Sequence, residues 1–293
     1  MAKLQTIVAA SDFSEGAELA VERAVRLAQT HSAELWLLHA FDDGAWASLR
    51  NFYDLDRWTG ADPVLTARER LAQQAADLSA RFGVTVKAET RSGRAPQAIA
   101  AFARECGAGL LVMGVRGEDW LRYAILGGSA LRVVEHADVP VLLVRRPVAA
   151  DFARVLVATD FSENARRAAQ NALVLCPGVR PTLLHAYVVG FEGRMRLAGA
   201  TNEDIERYRE QECRRAAERM EAFLAGLAED GGRFERCLAH GYPAAAILKQ
   251  AVDAGADLIA VGKHGGSVLE ERLLGSVAQN ILYNASCDVL LSP

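Results

Sequence analysis

One block of this sequence is written twice, 148 residues apart. The first copy reads Ile7-Val8-Ala9-Ala10-Ser11-Asp12-Phe13-Ser14-Glu15, and the second reads Leu156-Val157-Ala158-Thr159-Asp160-Phe161-Ser162-Glu163. The same offset pairs Gly93 with Gly241, Gly114 with Gly262, Gly117 with Gly265 and Gly127 with Gly275. Solenoid repeats run to only ~20–50 residues, so a period this long marks a duplicated domain. With 293 residues, each copy has enough chain to bury a core of its own. The expected domains are residues 1–147 and 151–293, with Pro147 marking the break.

Within each copy, short apolar runs alternate with longer amphipathic stretches. In the first, strands are expected at 6–10, 35–40, 84–88, 110–113 and 141–144. Between them, Ala17, Ala20, Val21, Ala24, Val25 and Ala28 fall on one helical face, with Ser14 as the N-cap. Further helices are expected at 67–82, from Pro96 and from Ser129 to His136. In the second, strands are expected at 155–158, 182–186, 234–238, 258–261 and 289–291, and helices at 163–175, 202–228, 243–254 and 276–284. Nearly continuous apolar strands separated by helices predict parallel sheets covered on both faces. The least repetitive stretch, 42–63, carries Trp46, Phe52, Tyr53 and Trp58 and reads as a loop whose aromatics cover either the domain's core or a ligand.

Charge and cysteine content narrow the function classes. A net charge of −4 gives no broad basic field for nucleic acid. No apolar run approaches the ~20 residues of a membrane span, and the first residues lack the apolar stretch of a secretory leader. Cys106, Cys176, Cys213, Cys237 and Cys287 are scattered with no C-x-x-C pair, which suits buried, reduced thiols in the cytoplasm.

The sharpest motif is Gly262-Lys263-His264-Gly265, nine residues, then Gly275-Ser276. The first pair follows an apolar strand and the second opens a helix. Glycines permit close backbone approach and positive φ. Successive N–H groups can form an anion-binding nest, and a helix start adds its positive dipole end. The pattern therefore reads as a polyphosphate cradle. The first copy reads Gly114-Val115-Arg116-Gly117, nine residues, Gly127, and then Gly128 where the hydroxyl residue stands in the second copy. Ser129 follows one place late. Lys263, His264 and Arg116 stand where they could add positive charge. His39 and His185, at the ends of the second strands, read as hydrogen-bonded strand-end residues.

On these residues the chain resembles the universal stress protein family, and specifically its tandem two-domain members. The resemblance implies, for each half, an α/β fold with a five-stranded parallel sheet in strand order 3-2-1-4-5 and helices on both faces. Ligands of such sheets bind at the carboxyl ends of the strands, where strand order reverses. The resemblance implies ATP there, with Mg²⁺ arriving on the phosphates. In the second half Asp160 and Ala186 would line the adenosine, and Gly262, Gly265, Gly275 and Ser276 would hold the phosphates. The matching positions in the first half are Asp12, Ala40, Gly114, Gly117, Gly127 and the substituted Gly128, with Ser129 in an alternative register. The implied function is a cytoplasmic ATP-binding protein of the stress response, working through nucleotide-dependent conformation or assembly. The alternatives are an interaction scaffold without nucleotide and a slow ATP hydrolase. No catalytic or metal-binding residue is assigned: the P-loop pattern G-x-x-x-x-G-K-[ST] is absent, and neither first strand is followed by a glycine-rich dinucleotide turn. A homodimer is compatible with this reading, whereas nucleic-acid and membrane partners are not expected.

Overall fold

The computed structural model describes residues 3–41, 63–115, 128–190, 192–265 and 274–293. Its internal packing divides the chain into two units, Met1–Asp151 and Phe152–Pro293.

The first unit runs β1 (Thr6–Ala10), α1 (Glu15–His31), β2 (Glu34–Phe41), α2 (Pro63–Phe82), β3 (Val86–Ser92), α3 (Ala95–Glu105), β4 (Leu110–Gly114), α4 (Gly128–His136) and β5 (Val141–Val144). Its strands lie in the order β3-β2-β1-β4-β5, and every pairing is parallel. The second unit runs β6 (Val155–Ala158), α5 (Glu163–Leu175), β7 (Thr182–Tyr187), α6 (Glu192–Leu197), α7 (Asn202–Ala225), β8 (Glu235–His240), α8 (Pro243–Asp253), β9 (Leu258–Gly262), α9 (Ser276–Asn284) and β10 (Asp288–Ser292). Its order is β8-β7-β6-β9-β10, again all parallel. The expected α/β class and 3-2-1-4-5 order are thus present in each unit. Helices and strands recur at the repeat offset: α3 and α8, β4 and β9, and α4 and α9 each match end for end.

The elements form for local reasons. Strands β1, β4, β5, β6, β9 and β10 are almost wholly buried, as their unbroken apolar runs require. Each fully buried leucine contributes roughly 2 kcal/mol of transfer free energy. Helices α1 and α5 present alanine to the sheet, with Ala17, Ala20, Ala24 and Ala28 in one and Ala165, Ala168, Ala169 and Ala172 in the other, so their backbones can approach closely. Ser14 and Ser162 cap them, each accepting a hydrogen bond from the amide three residues on. Thr201 and Asp204 close a capping box at the start of α7.

Three expectations need correction. Strand β3 covers Val86–Ser92 rather than 84–88, because Gly83, at φ 66°, ends α2 and the chain becomes ladder-competent only afterwards. Lys87, Glu89 and Arg91 alternate with less polar residues on this sheet-edge strand and dilute its apolar signal. Helix α7 stops at Ala225 and passes into a 3₁₀ turn, Ala228–Arg233, where the Gly231-Gly232 pair removes helix propensity. Within the stretch opposite the first unit's long loop, Glu192–Leu197 forms a short helix held by Glu192 ion pairs to Arg196 and Arg209. The aromatic-bearing stretch 42–62 lies outside the described residues. None of the described helices is long and apolar enough to cross a membrane. All five cysteines are thiols; Cys176 and Cys287 are buried, whereas Cys106, Cys213 and Cys237 are half-buried rather than enclosed. Burial pushes the Cys106 and Cys237 thiols up, away from the reactive thiolate.

Candidate functional site

In the second unit, β6 and β9 lie side by side while their following helices leave in different directions, which opens a crevice at the strand ends. A cavity of ≈ 270 Å³ sits there. All six site residues expected in this unit line it: Asp160 after β6, Ala186 on β7, Gly262 and Gly265 at and after β9, and Gly275 and Ser276 at the start of α9. Its floor is apolar, with Ala158, Val261 and Ile247 among its walls.

The first three residues of α9, Ser276, Val277 and Ala278, also line the cavity. The first intrahelical acceptor is used by Gln279, whose N–H donates to the Gly275 carbonyl at 2.8 Å. The preceding amides of the helix therefore lack intrahelical partners and leave the positive dipole end on the cavity wall. The two arms of the glycine motif are fastened together, since the Gly275 N–H donates to the Lys263 carbonyl at 2.8 Å. A third bond comes from α5, where Asn164 Nδ2 donates to the His264 carbonyl at 3.3 Å. Lys263 is buried beside the cavity, and His264 is half-buried, its enclosed Nδ1 meeting no hydrogen-bond partner among the described residues.

Of the two properties expected of the glycines, close approach and positive φ, these positions use the first. Gly262, Gly265 and Gly275 all lie outside the left-handed region. A Cβ on Gly262 would stand 2.9 Å from the carbonyl carbon and the Cβ of Asn164, so glycine here lets the end of β9 meet the first turn of α5. A Cβ on Gly265 would stand 2.7 Å from Asp160 Oδ2, and one on Gly275 would stand 3.2 Å from the Lys263 carbonyl oxygen. Close backbone approach is the common requirement.

The left-handed position falls instead on Phe161, at φ 70°. For an L-residue this conformation costs roughly 1–2 kcal/mol. The turn that holds it is bonded at each step. The Phe161 N–H donates to Thr159 Oγ1 at 2.9 Å, the Ser162 N–H to Asp160 Oδ1 at 3.0 Å, and the Ala165 N–H to Ser162 Oγ at 3.2 Å. Asp160 Oδ1 thus closes the turn, and Oδ2 lies beside Gly265. Phe161 packs on His185, with ring centroids 4.2 Å apart. His185 Nδ1 lies 2.8 Å from the Thr159 carbonyl oxygen and donates to it, which makes it the strand-end, hydrogen-bonded residue that its sequence position suggested. Burial holds this imidazole below its ordinary value, and Arg219 pushes the same way, against the Thr159 carbonyl and Asp160. Sequence reasoning passed over Phe161 and Asn164. The repeat of Asp-Phe-Ser in both copies was the available signal for the first, and nothing in the sequence marked the second.

The first unit repeats part of this arrangement. Asp12 Oδ1 accepts from the Ser14 N–H at 3.1 Å, Phe13 has φ 63°, and His39 Nδ1 lies 2.8 Å from the Ser11 carbonyl oxygen. Ala40 lies near the end of β2 and Gly114 ends β4. A Cβ on Gly114 would stand 2.4 Å from the Gly16 carbonyl oxygen, a tighter approach than at Gly262. Gly128 is the first residue of α4, as Ser276 is of α9, and Ser129 is the second, so the helix keeps the register that leaves the hydroxyl position empty. Arg116, Gly117 and Gly127 lie outside the described residues. Among the described residues, no group of three or more His, Cys, Asp or Glu is placed to hold a metal ion.

The model of the universal stress protein family matches the chain twice, over residues 3–145 and 151–293. A universal stress protein of Thermus aquaticus is 34% identical over 146 residues, a span covering 48% of this chain and 98% of that protein. The universal stress protein YxiE of Bacillus subtilis is 31% identical over 148 residues, with 48% and 98% covered. A crystal structure of a universal stress protein from Archaeoglobus fulgidus shares the fold over 98% of this chain and 97% of its own, with a TM-score of 0.68 at 20% identity. Two complete family matches, one on each structural unit, make this chain a tandem-domain member of the universal stress protein family.

Proposed function

We propose that the second unit binds an adenine nucleotide, ATP in the first instance, and that the protein serves the stress response through nucleotide-dependent conformation or assembly. The observation that carries this reading is convergence. Six residues from four separate chain segments meet at one cavity whose wall includes the open N-terminus of the nine-residue helix α9. The donor set fits a nucleotide in both its parts. The apolar floor suits a base, the Asp160 carboxylate suits hydroxyl donors, and the amides at the start of α9 with the cation of Lys263 suit phosphate. Asp160, Ala186, Gly262, Gly265, Gly275 and Ser276 are the proposed contacts. With no metal-binding cluster among the described residues, Mg²⁺ would be carried in on the phosphates.

The test is calorimetric titration of nucleotide-stripped protein with ATP and Mg²⁺, repeated on Ser276→Asp. Aspartate at the first helical position favours the helix dipole, so the fold is retained while phosphate is repelled. The expected result is one site per chain in the parent protein and none in the variant, with an unchanged melting temperature. No binding at millimolar ATP, or normal binding by Ser276→Asp, would overturn the assignment.

A further inference from the structure

Phe161 stands in a conformation that a bulky side chain avoids, and so does its counterpart Phe13. Glycine would occupy this backbone position without strain. The ring itself is what the position uses. It packs against His185 at 4.2 Å, Phe223 lies 5.7 Å away, and the Arg219 guanidinium carbon sits 4.7 Å from the ring centroid. In the first unit Phe13 is held in the same way, 4.9 Å from His39 and 4.4 Å from the guanidinium carbon of Arg70. The device joins the end of the second strand and the long helix that follows it to the residue next to the cavity aspartate, and it occurs in both copies.

Strained backbone that its surroundings over-determine is typical of ligand clamps. We infer that Phe161 is a positioning residue: clamped between His185 and Arg219, it holds the Asp160 carboxylate so that Oδ1 closes the turn while Oδ2 faces the cavity beside Gly265. This rests on the nucleotide reading of the same cavity. A carboxylate repels phosphate and accepts only from donors; the adenine base offers one exocyclic amine and the ribose two adjacent hydroxyls, and the pair of hydroxyls is the better match for it. Phe161 therefore sets how strongly the site distinguishes a ribose from a sugar lacking those hydroxyls.

The experiment compares binding of ATP and 2′,3′-dideoxy-ATP, each with Mg²⁺, by the full chain and its variants, with melting temperature measured in parallel. The parent protein should prefer ATP by about tenfold, the scale of a hydrogen bond to a charged group. Phe161→Gly releases the backbone strain and removes the clamp. It should fold, bind ATP about tenfold more weakly, and lose most of its preference between the two nucleotides. Phe161→Tyr keeps the ring and should restore the preference, which a role in stability alone would not require. Arg219→Met, on an exposed position, should reduce the preference in the same direction by a smaller factor, and it decides the matter if Phe161→Gly does not fold. A preference retained in the glycine variant, or in Arg219→Met where that one decides, overturns the inference and leaves the nucleotide reading standing. Equal binding of both nucleotides by the parent protein overturns the inference alone, and binding of neither overturns both.

Discussion

The two units carry the same turn and strand ends but differ around the glycine motif, and three of the differences share a direction. Where the second has Asn164, Lys263 and Ser276, the first has Gly16, Val115 and Gly128. Each exchange removes a polar group. Asn164 ties the glycine loop to α5 through the His264 carbonyl, whereas Gly16 has no side chain with which to do so. The space is used differently as a result: α1 approaches β4 until a Cβ on Gly114 would stand 2.4 Å from the Gly16 carbonyl oxygen, against 2.9 Å at the corresponding closest approach to Asn164. Lys263 places a cation where Val115 places a buried apolar side chain. Duplication has thus kept the parts that build the crevice, Asp-Phe-Ser and the strand-end histidine, and changed the parts that would meet an anion. The strand ends and their capping turns serve the fold of either unit, so they persist whether or not a ligand binds.

That separation can be broken most forcefully at the two strand-end glycines. Gly114→Val and Gly262→Val each drive a side chain into the backbone of the neighbouring helix start. Overpacking of this kind costs about 1–3 kcal/mol or more, and Gly114→Val should be the worse of the two. Denaturant unfolding measures the loss. Calorimetry should show that Gly262→Val also abolishes ATP binding, while Gly114→Val leaves the stoichiometry at one. Loss of binding in Gly114→Val would mean that the first unit holds the nucleotide. A smaller effect is expected from restoring the missing hydroxyl. In a Ser276→Asp background, which silences the second unit, Gly128→Ser supplies one hydrogen bond of about 1 kcal/mol, a gain of about fivefold in affinity that should leave the first unit too weak to register as a site in the titration. A full-strength site would show that the hydroxyl alone separates the two units.

Much of this arrangement was legible from residue pattern. Apolar strand runs, the Ser14 and Ser162 caps and the motif spacing located β6, β9 and the start of α9, and with them Gly262, Gly265, Gly275 and Ser276, whereas Asp160 and Ala186 were assigned through the family resemblance. Strand β3 was misplaced because an edge strand with Lys87, Glu89 and Arg91 carries little apolar signal. The two reasons for a glycine could not be separated by pattern, since close approach and positive φ leave the same letter in a sequence. Only the distance from Gly262 to Asn164 separates them. Phe161 escaped notice because left-handed backbone is ordinarily announced by glycine or asparagine. Here it is stabilised by tertiary contacts with His185 and Arg219, far away in sequence.

The Asn164 tether is a single hydrogen bond between a side chain and a backbone carbonyl. Asn164→Ala should cost about 1 kcal/mol and weaken ATP binding a few-fold by loosening the loop, without changing the stoichiometry. Unchanged affinity on titration would show that the Gly275–Lys263 backbone bond holds the loop alone.

The least conspicuous expected effect concerns pH. His185 is held below its ordinary value near 6.5, with burial the leading cause. In the unfolded chain the imidazole therefore takes up its proton at a higher pH than in the folded protein. As pH falls through 6.5 toward the folded value, the unfolded state binds more protons and stability declines. His185→Asn keeps a donor for the Thr159 carbonyl and removes the titrating group. It should lower stability at neutral pH through loss of the ring contact with Phe161, but flatten the decline between pH 6.5 and the folded value. Unfolding free energies measured across that interval for both proteins give the difference in slope, and parallel curves would place the proton uptake on another group.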